Sequence, residues 1–214
     1  MNFKNNINKI EKAFYSDGFN FGMKTVRSSL SHDSLFLSIS EMYSAIDELI
    51  YSLTNFSNNH DQLIKCKKGC AYCCHQPVFA LDYEMQYLNS FIKKNFTQEK
   101  QIGVKIRANN IRQKLSGLTE LEILNSKQPC PLLENESCSV YEVRPMACRI
   151  YISTDVSTCS KFFNSPEDKS NFPALLEFPL RAGKMMNQGF KSALETQGII
   201  SKEFKIEEKL LRTF

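Results

Sequence analysis

The stretch CKKGCAYCC, residues 66–74, places Cys66, Cys70, Cys73 and Cys74 within nine residues. No apolar run beside them is long enough to bury them as ordinary core thiols. Whatever holds four thiols this close constrains the fold more than any other feature of the chain. Cys130, Cys138, Cys148 and Cys159 follow at wider spacing, and no cysteine precedes residue 66 or follows residue 159. The chain therefore divides into an N-terminal helical arm (1–62), a central cysteine module (63–165) and a C-terminal segment (166–214) whose helices are expected to pack on the module.

The redox compartment decides how eight cysteines are read. The N-terminus, MNFKNNINKIEKAFYSDGF, lacks the apolar core of a secretory signal. The apolar stretches are broken by charges before they reach a bilayer's thickness. The net charge is +4, with basic residues scattered among acids, which argues against nucleic acid as a partner. The expectation is a cytoplasmic protein with neither nucleic-acid nor membrane partners. Disulfides are rare in that compartment, so clustered thiols there point to metal ligation or catalysis. A chain of 214 residues with 42% hydrophobic content can also bury a core without staples.

Outside the module the apolar spacing is helical. A helix is expected over about 4–29, interrupted at Asp17-Gly18. A second starts at Asp33 or Ser34 and carries Ile39, Met42, Tyr43, Ile46, Ile50 and Leu53 at threes and fours. Residues 55–61 form a polar break. Asp82 is placed to cap a helix through Met85, Leu88, Phe91 and Ile92, and Thr97 to cap another that runs to Leu115 and ends at Gly117. Residues 126–165 hold Pro129, Pro131 and Pro145 and have no sustained period; they read as loop with one short helix or hairpin. Ser165-Pro166-Glu167 reads as a helix start. A longer helix from Ala174 is expected to kink at Pro179 or to divide there into two helices, with Met185, Met186 and Phe190 as core packing. Ser201 is expected to cap a last short helix ending at Leu210 and Leu211. The fold class is mainly α: a helical domain around a cysteine-rich, loop-rich metal-binding module.

Spacings of two and three residues let one tight turn aim several sulfurs at a common point, as tetrahedral zinc and iron–sulfur clusters both require. Gly69 suits such a turn. The adjacent pair Cys73-Cys74 resists sharing one ion, because neighbouring side chains diverge. Eight thiols can build two four-cysteine sites, or one site with a reactive remainder. Lys65, Lys67, Lys68, Arg144 and Arg149 flank the groups, and cations there lower thiol pKa and offset the charge of bound thiolates. Haem attachment needs Cys-x-x-Cys-His, and Cys74 displaces His75 from that register. With only His32, His60 and His75, a histidine-rich site is excluded, and His75 alone is placed to join the thiols. Cys66-x3-Cys70-x2-Cys73 is also the spacing of radical S-adenosylmethionine enzymes. The segments here are helices and loops, however, not the repeating strand–helix units of that chemistry.

Cys66-x3-Cys70-x2-Cys73-Cys74 is followed in order by Cys130-Pro-x-Leu, Cys138-x-Val-Tyr141-Glu142-x-Arg144-Pro145 and Cys148-Arg149-x-Tyr151. This series resembles the bacterial YkgJ-type cysteine-cluster proteins, over about residues 66 to 160 and not over the helical arms. The resemblance implies zinc or iron chelation by Cys66, Cys70, Cys73, Cys74, Cys130, Cys138, Cys148 and Cys159, in one form as an iron–sulfur cluster. The same signature occurs in flagellin lysine N-methylases. That likeness implies an alternative, an iron–sulfur enzyme doing redox chemistry or S-adenosylmethionine-linked methyl transfer to a protein lysine. Arg144, Arg149 and Tyr151 are then candidates to hold an anionic group, or else to support the thiolates from behind. A third reading is a metal-stapled scaffold that presents helices to a protein partner.

Overall fold

Helical periodicity accounts for both ends of the chain and for its middle. The computed structural model describes residues 3–28, 31–58, 64, 66 and 69–212. In chain order it forms α1 (Phe3–Arg27), α2 (His32–Asn58), a 3-10 helix (Tyr72–His75), β1 (Phe79–Leu81), α3 (Asp82–Asn95), α4 (Gln98–Leu115) and α5 (Glu120–Asn125). Then come β2 (Leu133–Glu134), β3 (Ser137–Cys138), a 3-10 turn (Tyr141–Val143), α6 (Met146–Arg149), α7 (Val156–Asn164), α8 (Glu177–Glu195), β4 (Glu203–Lys205) and α9 (Ile206–Lys209). The fold is mainly helical, with two antiparallel two-stranded ladders, β1–β4 and β2–β3. Among the described residues no helix is long and apolar enough to cross a membrane.

The break expected at Asp17-Gly18 does not occur, because the glycine serves packing rather than a turn. A Cβ on Gly18 would lie 1.9 Å from the Met186 carbonyl oxygen, and one on Gly189 would lie 2.0 Å from that of Tyr15. With no side chain on either helix at the crossing, the backbones of α1 and α8 touch. Helix α2 is capped two or three residues earlier than expected, by Ser31, whose hydroxyl accepts the Ser34 N–H at 3.2 Å. It continues to Asn58, so the polar break is helical in its first part; residues 59–61 lie outside the described ones.

Other departures are local. Helix α3 begins at Asp82, and the Leu81 N–H is taken by the Glu84 carboxylate at 2.9 Å, so Asp82 is inside the helix rather than its cap. Thr97 does cap α4, accepting the Lys100 N–H at 3.3 Å, and Gly117 follows its end with φ +81°. Helix α5 was not expected, although Thr119 and Glu122 form a reciprocal capping pair. Ser165-Pro166-Glu167 starts no helix; the chain turns there, with Asp168 accepting the Ser170 N–H at 2.9 Å. Helix α8 starts at Glu177, so Pro179 falls in the first turn, where its missing N–H has no intrahelical partner to lose. No kink follows. Ser201 caps nothing: its hydroxyl is buried without a hydrogen-bond partner among the described residues, and the chain after it forms β4 against β1.

Two apolar clusters meet at α3. One joins Ile39, Met42 and Ile46 of α2 to Met146 and Ile150 around α6 and to Met186 and Phe190 of α8. The other joins Met85, Leu88 and Ile92 of α3 to Val104 and Ala108 of α4, to Leu132 and Val140 beside the cysteines, and to Ile206 and Leu210 of the C-terminal segment. The helical arms and the cysteine segment thus share their cores.

The α1–α8 crossing yields a contrast testable by urea unfolding. Gly189→Leu forces a side chain into backbone and is expected to cost about 3 kcal/mol. Gly103→Ala meets only the flexible end of Arg107 at 3.3 Å, and is expected to be neutral or to stabilise by up to about 1 kcal/mol.

Candidate metal centre

The first cysteine group enters through a turn at Gly69, whose φ of +93° is open to glycine and strained for other residues. The 3-10 helix then carries Cys73 and Cys74. Gln76 is extended after it (ψ 152°), and the chain leads into β1. The second group is brought alongside by backbone: the Cys130 N–H donates to the Cys74 carbonyl at 2.7 Å. From Cys130 the chain enters the β2–β3 hairpin, which sets Cys138 opposite Leu133. Cys148 is carried by α6, its N–H donating to the Pro145 carbonyl at 2.9 Å. Cys159 is carried by α7, which lies against the 3-10 helix, with Phe163 edge-on to His75 at 4.8 Å and against Tyr72 at 5.8 Å.

These elements bring Cys66, Cys70, Cys73, Cys74, Cys130, Cys138 and Cys148 to the wall of one cavity of about 270 Å³. Arg144, Tyr151 and Gln76 share that wall, and much of the rest is apolar, including Val78, Val140, Ile152 and Ile206. Cys159 is buried outside the wall; burial pushes its thiol up, with Cys70 and Cys73 as smaller causes in the same direction. All eight are thiols. Burial pushes the Cys66, Cys130 and Cys148 thiols up; at Cys73 the hydrogen bond with Cys74 is the larger cause and burial the second. Among the described residues no three Cys, His, Asp or Glu side chains stand close enough together to hold a metal ion as they are. The thiols ring a space. As a donor set, sulfur without competing imidazole suits zinc, iron and iron–sulfur clusters.

One buried network aims Cys148. Glu84, 2% exposed, accepts the Met146 N–H at 2.8 Å and so caps α6 from another helix. The same carboxylate accepts the Tyr43 hydroxyl at 2.7 Å and the Asn187 amide at 3.3 Å. Arg149, 1% exposed, donates to Asp47 and to the carbonyls of Glu142 and Arg144 and lies over the Tyr43 ring at 4.1 Å. Arg149 is absent from the cavity wall. Arg144 lies on the wall, stacked on Tyr141 at 3.7 Å, with a nitrogen donating to the Tyr141 carbonyl at 2.6 Å. It lowers the Cys73 and Cys148 thiols, against the larger effects that raise them. Tyr151 accepts from Gln76 at 2.9 Å, and burial pushes its phenol up to about 12.

His75 does not reach the cavity: its Nδ1 donates to the Ala71 carbonyl at 3.1 Å and its ring packs on Phe163. Lys65, Lys67, Lys68 and His60 lie outside the described residues. Glu84, Tyr43, Asp47 and Gln76 were missed from sequence. The one available signal was Glu84 between Tyr83 and Met85, a carboxylate in an apolar helix face.

A family model named CxxCxxCC, described as a putative zinc- or iron-chelating domain, matches residues 65–171, half of the chain. No curated protein and no solved structure matches.

Two outcomes follow from the buried groups. Arg149→Leu is expected to cost about 3 kcal/mol, since three acceptors lose a charged donor; the urea midpoint measures it. For the thiols the sign is set by their raised pKa. Folded, they keep protons that the unfolded chain releases near its ordinary value of 9.0. Their contribution is therefore complete below that pH and is lost as pH rises toward the folded values. The urea midpoint of metal-free, reduced protein should fall between about pH 8 and about pH 10.

Proposed function

The chain belongs to the CxxCxxCC family of zinc- or iron-chelating domains, and from that premise we propose that it chelates its metal through Cys66, Cys70, Cys73, Cys74, Cys130, Cys138, Cys148 and Cys159. The observation that carries this reading is the convergence of seven thiols, from the two separated groups, on the wall of a single cavity. Bound as thiolates in a reducing compartment, four of them around one ion form a closed sulfur shell, which is the structural form of a zinc site. Arg144 offsets part of the negative charge from the wall. Arg149 works from behind, holding the turn that presents Cys148.

A second reading makes the centre an iron–sulfur cluster. It draws on the width of the cavity: about 270 Å³ ringed by sulfurs, without three donors closing on one point among the described residues, suits a group larger than a single ion.

Anaerobic purification followed by elemental analysis and optical spectroscopy tests both. Brown protein with broad visible absorbance and acid-labile sulfide establishes the cluster, and colourless protein with stoichiometric zinc establishes the zinc shell. Protein with neither metal, and with thiols that titrate as disulfides, would overturn chelation altogether. Metal-binding energy is folding energy in such a module. Cys148→Ser is therefore expected to lose metal, melt earlier and aggregate; a variant with full metal content and an unchanged melting temperature removes Cys148 from the ligand set.

A further inference from the structure

A side-chain hydrogen bond joins the two cysteine groups on the cavity wall: the Gln76 amide, two residues after Cys74, donates to the Tyr151 hydroxyl, three residues after Cys148, at 2.9 Å. We propose that this pair serves the metal centre. The Tyr151 hydroxyl donates a hydrogen bond to a metal-bound thiolate of the first cysteine group, and Gln76 is the positioning residue that leaves the hydroxyl proton available for it. This role rests on the chelation reading above.

A phenol hydroxyl has one proton to give and lone pairs with which to accept. Because Gln76 is the donor in their hydrogen bond, the Tyr151 proton is left for another acceptor, and among the described residues none takes it. Much of the wall has nothing to offer: Val78, Val140 and Ile152 are apolar, and the Arg144 side chain carries donors alone. Beyond Gln76, the side-chain acceptors on the wall are the seven sulfurs, Tyr141 and Glu203. Glu203 is exposed to solvent, and the Tyr141 ring is covered by the Arg144 guanidinium at 3.7 Å. That leaves sulfur. A neutral thiol accepts weakly, whereas a charged acceptor makes a hydrogen bond roughly twice as strong as a neutral one. The Tyr151 proton therefore gains its partner when the thiols become thiolates.

Backbone ties the pair to the first group. The Gln76 N–H donates to the Cys73 carbonyl at 3.3 Å, closing the 3-10 helix that carries Cys73 and Cys74. The Tyr151 carbonyl accepts the Cys66 thiol at 3.9 Å. Tyr151 is thus held at its hydroxyl and at its backbone by residues of one segment. Polarity is what makes position 76 matter: an acceptor there would take the hydroxyl proton for itself, and a donating amide does not. A hydrogen bond to a metal-bound thiolate draws charge from the sulfur, which favours the thiolate and, in a cluster, the reduced state.

The full-length variants Tyr151→Phe, Gln76→Glu and the two combined test the pair. The readouts are metal affinity by chelator competition and a signature of the metal–sulfur bond. For zinc-loaded protein that signature is the thiolate-to-cobalt charge-transfer band after exchange with Co(II); for protein carrying a cluster it is the reduction potential. Tyr151→Phe keeps the ring and is expected to keep full metal content, with affinity about tenfold weaker. Its charge-transfer band should move to longer wavelength, or its potential fall. Gln76→Glu retains the link to Tyr151 with the polarity reversed, and should reproduce those shifts with the hydroxyl still present. The effect of its added charge alone is read in the Tyr151→Phe background, where the shift is expected to be smaller. A link that only braces the fold gives equal effects of Gln76→Glu in both backgrounds. That result, or an unchanged band or potential in Tyr151→Phe, overturns the role while leaving chelation intact. Wild-type protein that binds neither metal overturns chelation and the role with it.

Discussion

A buried carboxylate, Glu84 at the start of α3, is the contact on which the rest of the site's geometry depends. Burying such a charge costs several kcal/mol unless every lone pair is engaged. Here donors arrive from the backbone at Leu81 and Met146 and from the side chains of Tyr43 and Asn187. These belong to α2, α8, the end of β1 and the start of α6. One group thereby fixes where four parts of the chain meet and where the single turn bearing Cys148 begins. Arg149 completes the arrangement from the other end of that turn, with Asp47 of α2 as its ionic partner. The turn that bears Cys148 is thus referenced to the helical arms, not only to its own loop.

That dependence explains how segments with little regular structure hold a defined shape. The longest regular element between residues 126 and 165 is α7, at nine residues, and the hairpin has two residues on each strand. Cross-links to other elements, Cys130 to Cys74 and Ser139 to Leu132, replace long ladders. Thiols buried as neutral groups sit in the same region. Metal ligation would exchange their protons for a cation and add folding energy where secondary structure contributes least.

Several sequence expectations failed for one recurring reason: a residue with a strong local preference was recruited by a distant contact. Gly18 reads as a break and instead admits the backbone of α8. Ser201 reads as a cap and instead precedes a strand that pairs with β1. Pro179 reads as a kink if the helix begins at Ala174; Ala174 and Leu176 instead bond the backbone of Thr154 and Ile152, and with the start at Glu177 the proline is harmless. By contrast Thr97 caps its helix as its chemistry implies.

The sequence by itself determined the helical class, the periodic faces of α2, α3 and α8, and the identity of the cysteines, because 3.6-residue periodicity and thiol spacing are local properties carried within a few turns. It did not determine which thiols are neighbours. That depended on the Cys130–Cys74 backbone contact, on α7 docking against the 3-10 helix, and on Glu84 and Arg149 anchoring α6, all between residues far apart in the chain. CKKGCAYCC contributes four thiols, and tertiary structure decided that the others stand around them.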